Sequence, residues 1–280
     1  MGGRVGIMDD TMPAENLLFP TPKPVIAMIH LDALPGTPAG GRSVREIETT
    51  ALREARTYVE SGVHGIMLEN MHDTPYLRGA VGPEIVAVMS VVASAVKDST
   101  RLPCGVQVLA GANMEAVAVA HAARLDFVRV EGFAFAHIAD EGFIQSTAAP
   151  LLRYRKHIGA EHVQVWADVK KKHSSHAITS DLSVGDTAEA VEMMRGDTVI
   201  ITGMVTADPP ALADIRDARK HCRLPVYLGS GVTAENLPRY YGVADGFIVG
   251  SHFKKDGLWS NTVDPKRVQR FMAVHGRLRA

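Results

Sequence analysis

Short apolar runs rich in Val and Ile recur along the chain at even spacing, and between them apolar residues return at helical intervals. The runs predict strands over residues 25–31, 65–70, 104–110, 127–131, 163–170, 198–202, 226–228 and 246–249. Ser43 with Glu46 makes a capping box, and Val44, Ile47, Ala51, Ala55, Tyr58 and Val59 then keep one apolar stripe. Other helices are expected to open at Gly82-Pro83-Glu84, at Asn113, near Ser146, at Asp186 with Glu189, at Asp208-Pro209, at Thr233 and at Asp264-Pro265.

Strict strand and helix alternation implies parallel strands joined by crossovers, and eight such units in about 250 residues match a single (β/α)8 TIM barrel. A doubly wound open sheet is the rival. It is disfavoured because a Pro/Gly loop, not a dinucleotide fingerprint, follows the first strand. Two echoes also suggest repetition: Arg101-Leu102-Pro103 and Arg223-Leu224-Pro225 lead into the third and seventh strands, and small-residue and Asp turns (Gly62-Val63-His64-Gly65, Leu125-Asp126, Gly196-Asp197, Ala244-Asp245-Gly246) precede the even ones. The length of 280 residues would allow one domain or two small ones, but the eight units occupy 24–280 and leave only a loosely ordered leader over 1–23.

The chain is 46% hydrophobic and 22% charged, which suits a soluble globular protein. Its 30 basic and 31 acidic side chains leave a net charge of -1, so nothing electrostatic calls for nucleic acid or an anionic membrane. Cys104 and Cys222 lack metal-type spacing and read as buried thiols in a reducing compartment. The leader has no apolar h-region and carries Asp9, Asp10 and Glu15, and no window is long enough to span a bilayer, so the expected location is the cytoplasm.

Candidate chemistry follows from strand parity. On the fifth strand Val163, Val165, Ala167 and Val169 suit the helix side, which sends Gln164, Trp166, Asp168 and Lys170 inward. The same parity points Met28, His30, Met67, Glu69, Gln107, Arg129 and Glu131 inward, several of them at the carboxyl ends where barrel sites lie. Singly, each is as well explained as a paired strand-end residue. Together His30, Glu69, Arg129, Glu131, Asp168 and Lys170 form an expected catalytic set, because converging buried charge is costly unless paired or used. Glu69, Glu131 and Asp168 can exchange protons or hold a divalent ion; Lys170 and Arg129 can clamp an anion. A Schiff base at Lys170 is a weaker reading.

Gly229-Ser230-Gly231 ends the seventh strand and Gly250-Ser251 the eighth, the pair of loops that cradles phosphate in many barrels; with Gly203 they make the expected phosphate-binding set, against a bland reading as tight turns. Three loops stand out. Residues 32–42 have Pro and Gly enough for a lid, although an ordinary irregular loop fits as well. The run 170–176 adds positive potential, and its His173 and His176, with Asp168, are weak candidates for a metal; no cofactor is firmly implied. Residues 132–142 form an insertion expected to expose Phe133, Phe135 and His137, unless they pack into the core.

The segments PVIAMIHLDALPGTP, GVHGIMLENMHDTPY, VRVEGF, VWADVKKKHSSH, YLGSGVTAENL and ADGFIVGS resemble the BtpA/SgcQ family from Pro24 to Arg270. The resemblance implies a barrel of the ribulose-phosphate-binding type. Its cyanobacterial namesake is associated with photosystem I biogenesis and its SgcQ branch with sugar metabolism. The matching blocks contain His30, Asp32, Glu69, Asn70, Asp73, Glu131, Asp168, Lys170, His173, Ser230 and Gly231. Two classes of function follow: an enzyme of isomerase or lyase type acting on a small phosphorylated metabolite, sugar- or nucleoside-phosphate-like, or a non-catalytic binding and assembly factor. The inward acid, base and Lys set favours the enzyme. The expected partner is a small anion, and the apolar outer surfaces suggest a homo-oligomer.

Overall fold

The computed structural model of the protein describes residues 18–203 and 209–279. Most of the expected leader, with Asp9, Asp10 and Glu15, and the helix signal at Asp208 lie outside the described residues. The last residues of that leader do not lie loose: Phe19 is buried in the floor of the barrel, its ring 6.2 Å from that of Trp166.

Strands β1 (Val25–His30), β2 (Gly65–Glu69), β3 (Cys104–Gln107), β4 (Phe127–Val130), β7 (Gln164–Val169), β9 (Thr198–Ile201), β10 (Val226–Gly229) and β11 (Gly246–Val249) are all parallel and close into a barrel in the order β1-β11-β10-β9-β7-β4-β3-β2. Helices α1 (Val44–Glu60), α2 (Pro83–Thr100), α3 (Asn113–Ala122), α4 (Ala148–His157), α5 (Val184–Met193), α6 (Leu212–His221), α7 (Leu237–Tyr241) and α8 (Pro265–Arg279) alternate with them. The fold is the expected (β/α)8 barrel. Ser43 and Glu46 form the predicted box, and Gly82-Pro83 and Pro265 open α2 and α8 as read. The α5 box is Ser183 with Asp186, not Asp186 with Glu189. Thr233 opens a turn, and α7 begins four residues later and runs for only 5 residues.

Inside, Phe127 stacks on Trp166 with ring centroids 3.9 Å apart, beside Tyr227, Met67 and Ile200. A Cβ on Gly105 of β3 would fall 2.2 Å from Phe127, so that strand must yield its side chain to the ring. Outside, Val163, Val165, Ala167 and Val169 join the layer under the helices, as their parity predicts.

The insertion after β4 forms a hairpin, β5 (His137–Ala139) and β6 (Gly142–Ile144), extended by β8 (Ser174–Ser175) from the loop after β7 into a small antiparallel sheet beside the mouth. Of the two readings of that insertion, core packing holds for Phe133 and His137, which are buried, and exposure for Phe135. The loop over 32–42 is irregular and is anchored at Leu34, which is fully buried and whose amide donates to Asp73 Oδ1 at 2.7 Å.

Candidate active site at the barrel mouth

A cavity of about 400 Å³ opens at the carboxyl ends of the strands. One wall is built by β2, β3, β4 and β7, whose last inward residues are Glu69, Gln107, Arg129 with Glu131, and Asp168, all buried. Period-two alternation puts these on the inner face and strand termination puts them at the rim.

Arg129 and Asp168 make a bidentate pair: Nε donates to both carboxylate oxygens at 3.1 Å and Nη2 to Oδ1 at 3.0 Å. Burial works against the guanidinium charge, but the carboxylates of Asp168 and Glu69 outweigh it and hold its pKa above the ordinary value. Lys171 Nζ donates to Glu131 Oε2 at 3.0 Å, and Gln107 Nε2 donates to Glu131 Oε1 at 3.2 Å. Burial raises the Glu131 carboxyl in spite of Lys171. Glu69 is likewise raised, by burial against the pull of Arg129 and Lys172. Lys172 is lowered by burial and by Arg129.

His30 closes the wall next to Glu69. Its Nδ1 donates to the carbonyl of Trp259 at 2.9 Å, which leaves Nε2 as an acceptor 3.8 Å from Glu69 Oε2. Burial, then the charge of Lys254, bring its pKa down to about 3, so the ring is neutral across the physiological range. Behind it, Asn70 donates to Asp73 at 2.9 Å and accepts from the Leu109 amide at 2.8 Å, and with the Leu34 amide on Asp73 this ties three loops together. Asp32 sits at 2.9 Å from Arg42 and takes no part in the cavity.

Lys170 is the clear departure from the expected set. The strand ends at Val169, the backbone turns to φ 45° at Lys170, and the ammonium donates to the carbonyls of Thr179 and Leu182 on the far side of the β7 loop. Extrapolating parity one residue past the strand sent it to the wrong side. Its neighbours Lys171 and Lys172 reach the cavity instead. The metal candidates do not assemble: Asp168 is engaged by Arg129, His173 lines the cavity, and His176 Nε2 donates to the Lys171 carbonyl at 3.0 Å. Among the described residues no three His, Cys, Asp or Glu side chains are placed to hold a metal ion.

The opposite wall is made of backbone. Ser230 and Gly231 follow β10 with φ of 80° and 68°, a left-handed pair, and both line the cavity with Val232 and Thr233. Thr233 and Asn236 cap one another, and Asn236 Nδ2 holds the Gly231 carbonyl at 2.8 Å. Gly250 and Ser251 follow β11; a Cβ on Gly250 would come within 3.3 Å of His30 Nε2. Gly203 and Gly229 are buried and do not line the cavity. The wall also has a cation that the sequence pattern missed. Arg267 of α8 lines the cavity and donates to the His252 carbonyl at 2.6 Å. Lys254 lies buried beneath, its Nζ 2.7 Å from Glu54 Oε2, fixing the segment between β11 and α8. Trp259 on that segment and Tyr76, also missed, complete the rim; neither lies in a strand or shows periodicity that would have marked it. The dipeptide Arg267-Val268 looked like any amphipathic helix start.

The family model described as the BtpA family matches residues 21–277. A mitochondrial protein of Caenorhabditis elegans, of uncharacterized function, is 42% identical over 89% of this chain and 91% of its own. The photosystem I biogenesis protein BtpA of Synechocystis is 32% identical over 91% of this chain and 88% of its own. Among solved structures, a thiamine phosphate pyrophosphorylase from Pyrococcus furiosus superposes with a TM-score of 0.58 at 14% identity, covering 91% of this chain and 96% of that one. Phosphoribosyl anthranilate isomerase from Thermus thermophilus gives 0.56 at 11% identity over 91% and 99%. At such identities the likeness is one of fold. No helix among the described residues is long and apolar enough to cross a membrane, and the mitochondrial relative gives the expected cytoplasmic location no support.

Proposed function

The chain belongs to the BtpA family, and we propose that its barrel mouth takes a small phosphorylated metabolite, sugar- or nucleoside-phosphate-like, and works on it by acid and base chemistry of isomerase or lyase type. The observation that carries this reading is the pairing of two unlike walls across one cavity: buried Glu69, Arg129, Glu131 and Asp168 on one side, and the small-residue loops at Ser230-Gly231 and Gly250-Ser251 with Arg267 on the other. The names of both similar barrels contain a phosphorylated compound, which adds weight.

The roles follow from the geometry. The amides and Arg267 hold the phosphate. Glu69, raised by burial, carries a proton at higher pH than an ordinary carboxyl and gives it to the ligand or takes it back, with neutral His30 accepting beside it. Arg129, held in place by Asp168, and Lys172 face negative charge developing on the ligand. Thermal shift with inorganic phosphate and a panel of sugar and nucleoside monophosphates tests the binding step, and mass spectrometry of the mixtures tests turnover. Stabilisation at millimolar concentration that Arg267→Gln weakens, with turnover lost in Glu69→Gln, is the expected result. No stabilisation by any phosphorylated compound sinks the reading. Binding without turnover would favour the second reading, a binding or assembly factor, which the name of the Synechocystis relative supports.

A further inference from the structure

In the barrel order, β10 lies four places from β3 and β11 four places from β4, so the two small-residue loops face Gln107 and Glu131 straight across the mouth. A ligand whose phosphate sits on those loops therefore presents its other end to this wall. Two buried acceptors there lack a partner. Gln107 is 2% exposed; its Nε2 is committed to Glu131, which as a carboxylate can only accept, and this fixes the amide so that Oε1 has no donor. Glu141, at the tip of the β5–β6 hairpin, has a buried Oε2 in the same condition. Both residues line the cavity, and among the described residues no cavity-lining side-chain donor atom is left buried and unpartnered. Unpartnered buried acceptors are rare in native proteins, and two converging on one cavity call for donors from outside.

We propose that the inner end of the ligand is a chain of hydroxyl groups, so that the substrate class is a sugar or polyol monophosphate, with Gln107 and Glu141 as its specificity-determining residues. This rests on the phosphate reading above. A nucleobase brings ring acceptors as well as donors and would set like against like on this wall. The cavity of about 400 Å³ lies toward the small end of ligand pockets and suits a monophosphate of a single sugar.

The test is calorimetric binding of sugar monophosphates of three to six carbons, the n-alkyl phosphates of matching length, nucleoside monophosphates and inorganic phosphate to the full chain. The best sugar phosphate is expected to bind at least about tenfold tighter than its alkyl counterpart, as a missing hydrogen bond to a buried acceptor demands. In Gln107→Met and in Glu141→Ala that advantage shrinks several-fold. Alkyl or nucleoside phosphates that equal the sugar phosphates overturn the proposal while leaving the phosphate reading intact. Failure of inorganic phosphate and every phosphate ester to bind overturns both. If Gln107→Met does not fold, the comparison within the wild-type protein still decides.

Discussion

The two walls of the mouth are built on different principles. The β2–β3–β4–β7 wall is an arrangement of side chains, in which Arg129–Asp168 and Lys171–Glu131 neutralise each other pair by pair in a buried setting. The wall after β10 and β11 is built of short loops of small residues, with positive φ at Ser230 and Gly231. The first therefore stakes folding stability on its ionisable groups, whereas the second stakes little. On the proposed reading, a site so divided keeps its grip on phosphate while its acid and base wall is altered, and that separation is open to experiment.

The largest effect is expected from Arg129→Met, which strands Asp168 as a buried carboxylate without its bidentate partner: about 3–5 kcal/mol of stability should be lost in urea unfolding. The double variant Arg129→Met/Asp168→Leu should regain most of it. If the single variant loses less than about 1 kcal/mol, the wall is not the coupled charge unit described.

Next is the pH dependence of the same wall. With His30 depressed to about 3 from its ordinary 6.5, the unfolded chain takes up a proton in that window and the native chain does not. Stability from this group is thus full above 6.5 and falls as pH drops toward 3, by up to about 1.4 kcal/mol per pH unit. The raised carboxyls of Glu69 and Glu131 tilt the opposite way, so the difference between wild type and His30→Gln, followed from pH 7 to 4, isolates the ring. Equal slopes in the two proteins would show that His30 is not buried neutral.

On the main-chain wall the expectation is smaller. Gly231→Ala, at φ 68°, should lower stability by about 1–2 kcal/mol and weaken phosphate binding. Weakened binding of inorganic phosphate in Arg129→Met but not in Gly231→Ala would reverse the assignment of the walls. Smallest of all is Lys170→Met: with its ammonium turned to Thr179 and Leu182, ligand affinity should stay within about twofold of wild type by titration calorimetry.

The charged wall was legible because strand parity is a local property. Met28, His30, Met67, Glu69, Gln107, Arg129, Trp166 and Asp168 all point inward as their alternation with Val and Ile requires. The Gly-Ser pairs that close β10 and β11 were legible as loops, although the helix expected at Thr233 is a turn. Trp259 and the hairpin residue Glu141 escaped because each reaches the cavity from a segment with no period of its own, and Arg267 because helical period alone does not mark which residue of α8 meets the mouth. Lys170 shows where the local rule stops: once the strand ends, side-chain direction depends on φ, and φ 45° sends Lys170 away and its two neighbours in.

Period two and period 3.6, repeated eight times, were therefore enough to specify a closed parallel barrel and which strand residues face its axis, because both are set by hydrogen-bonded geometry within a few residues. Which lysines line the mouth, which acceptors are left without partners, and which helix brings a guanidinium to the wall after β10 and β11 depended on segments far apart in the chain meeting in space, as Lys254 meets Glu54. Contacts of that kind arise only when the barrel closes, since no local pattern encodes the position of a partner two hundred residues away.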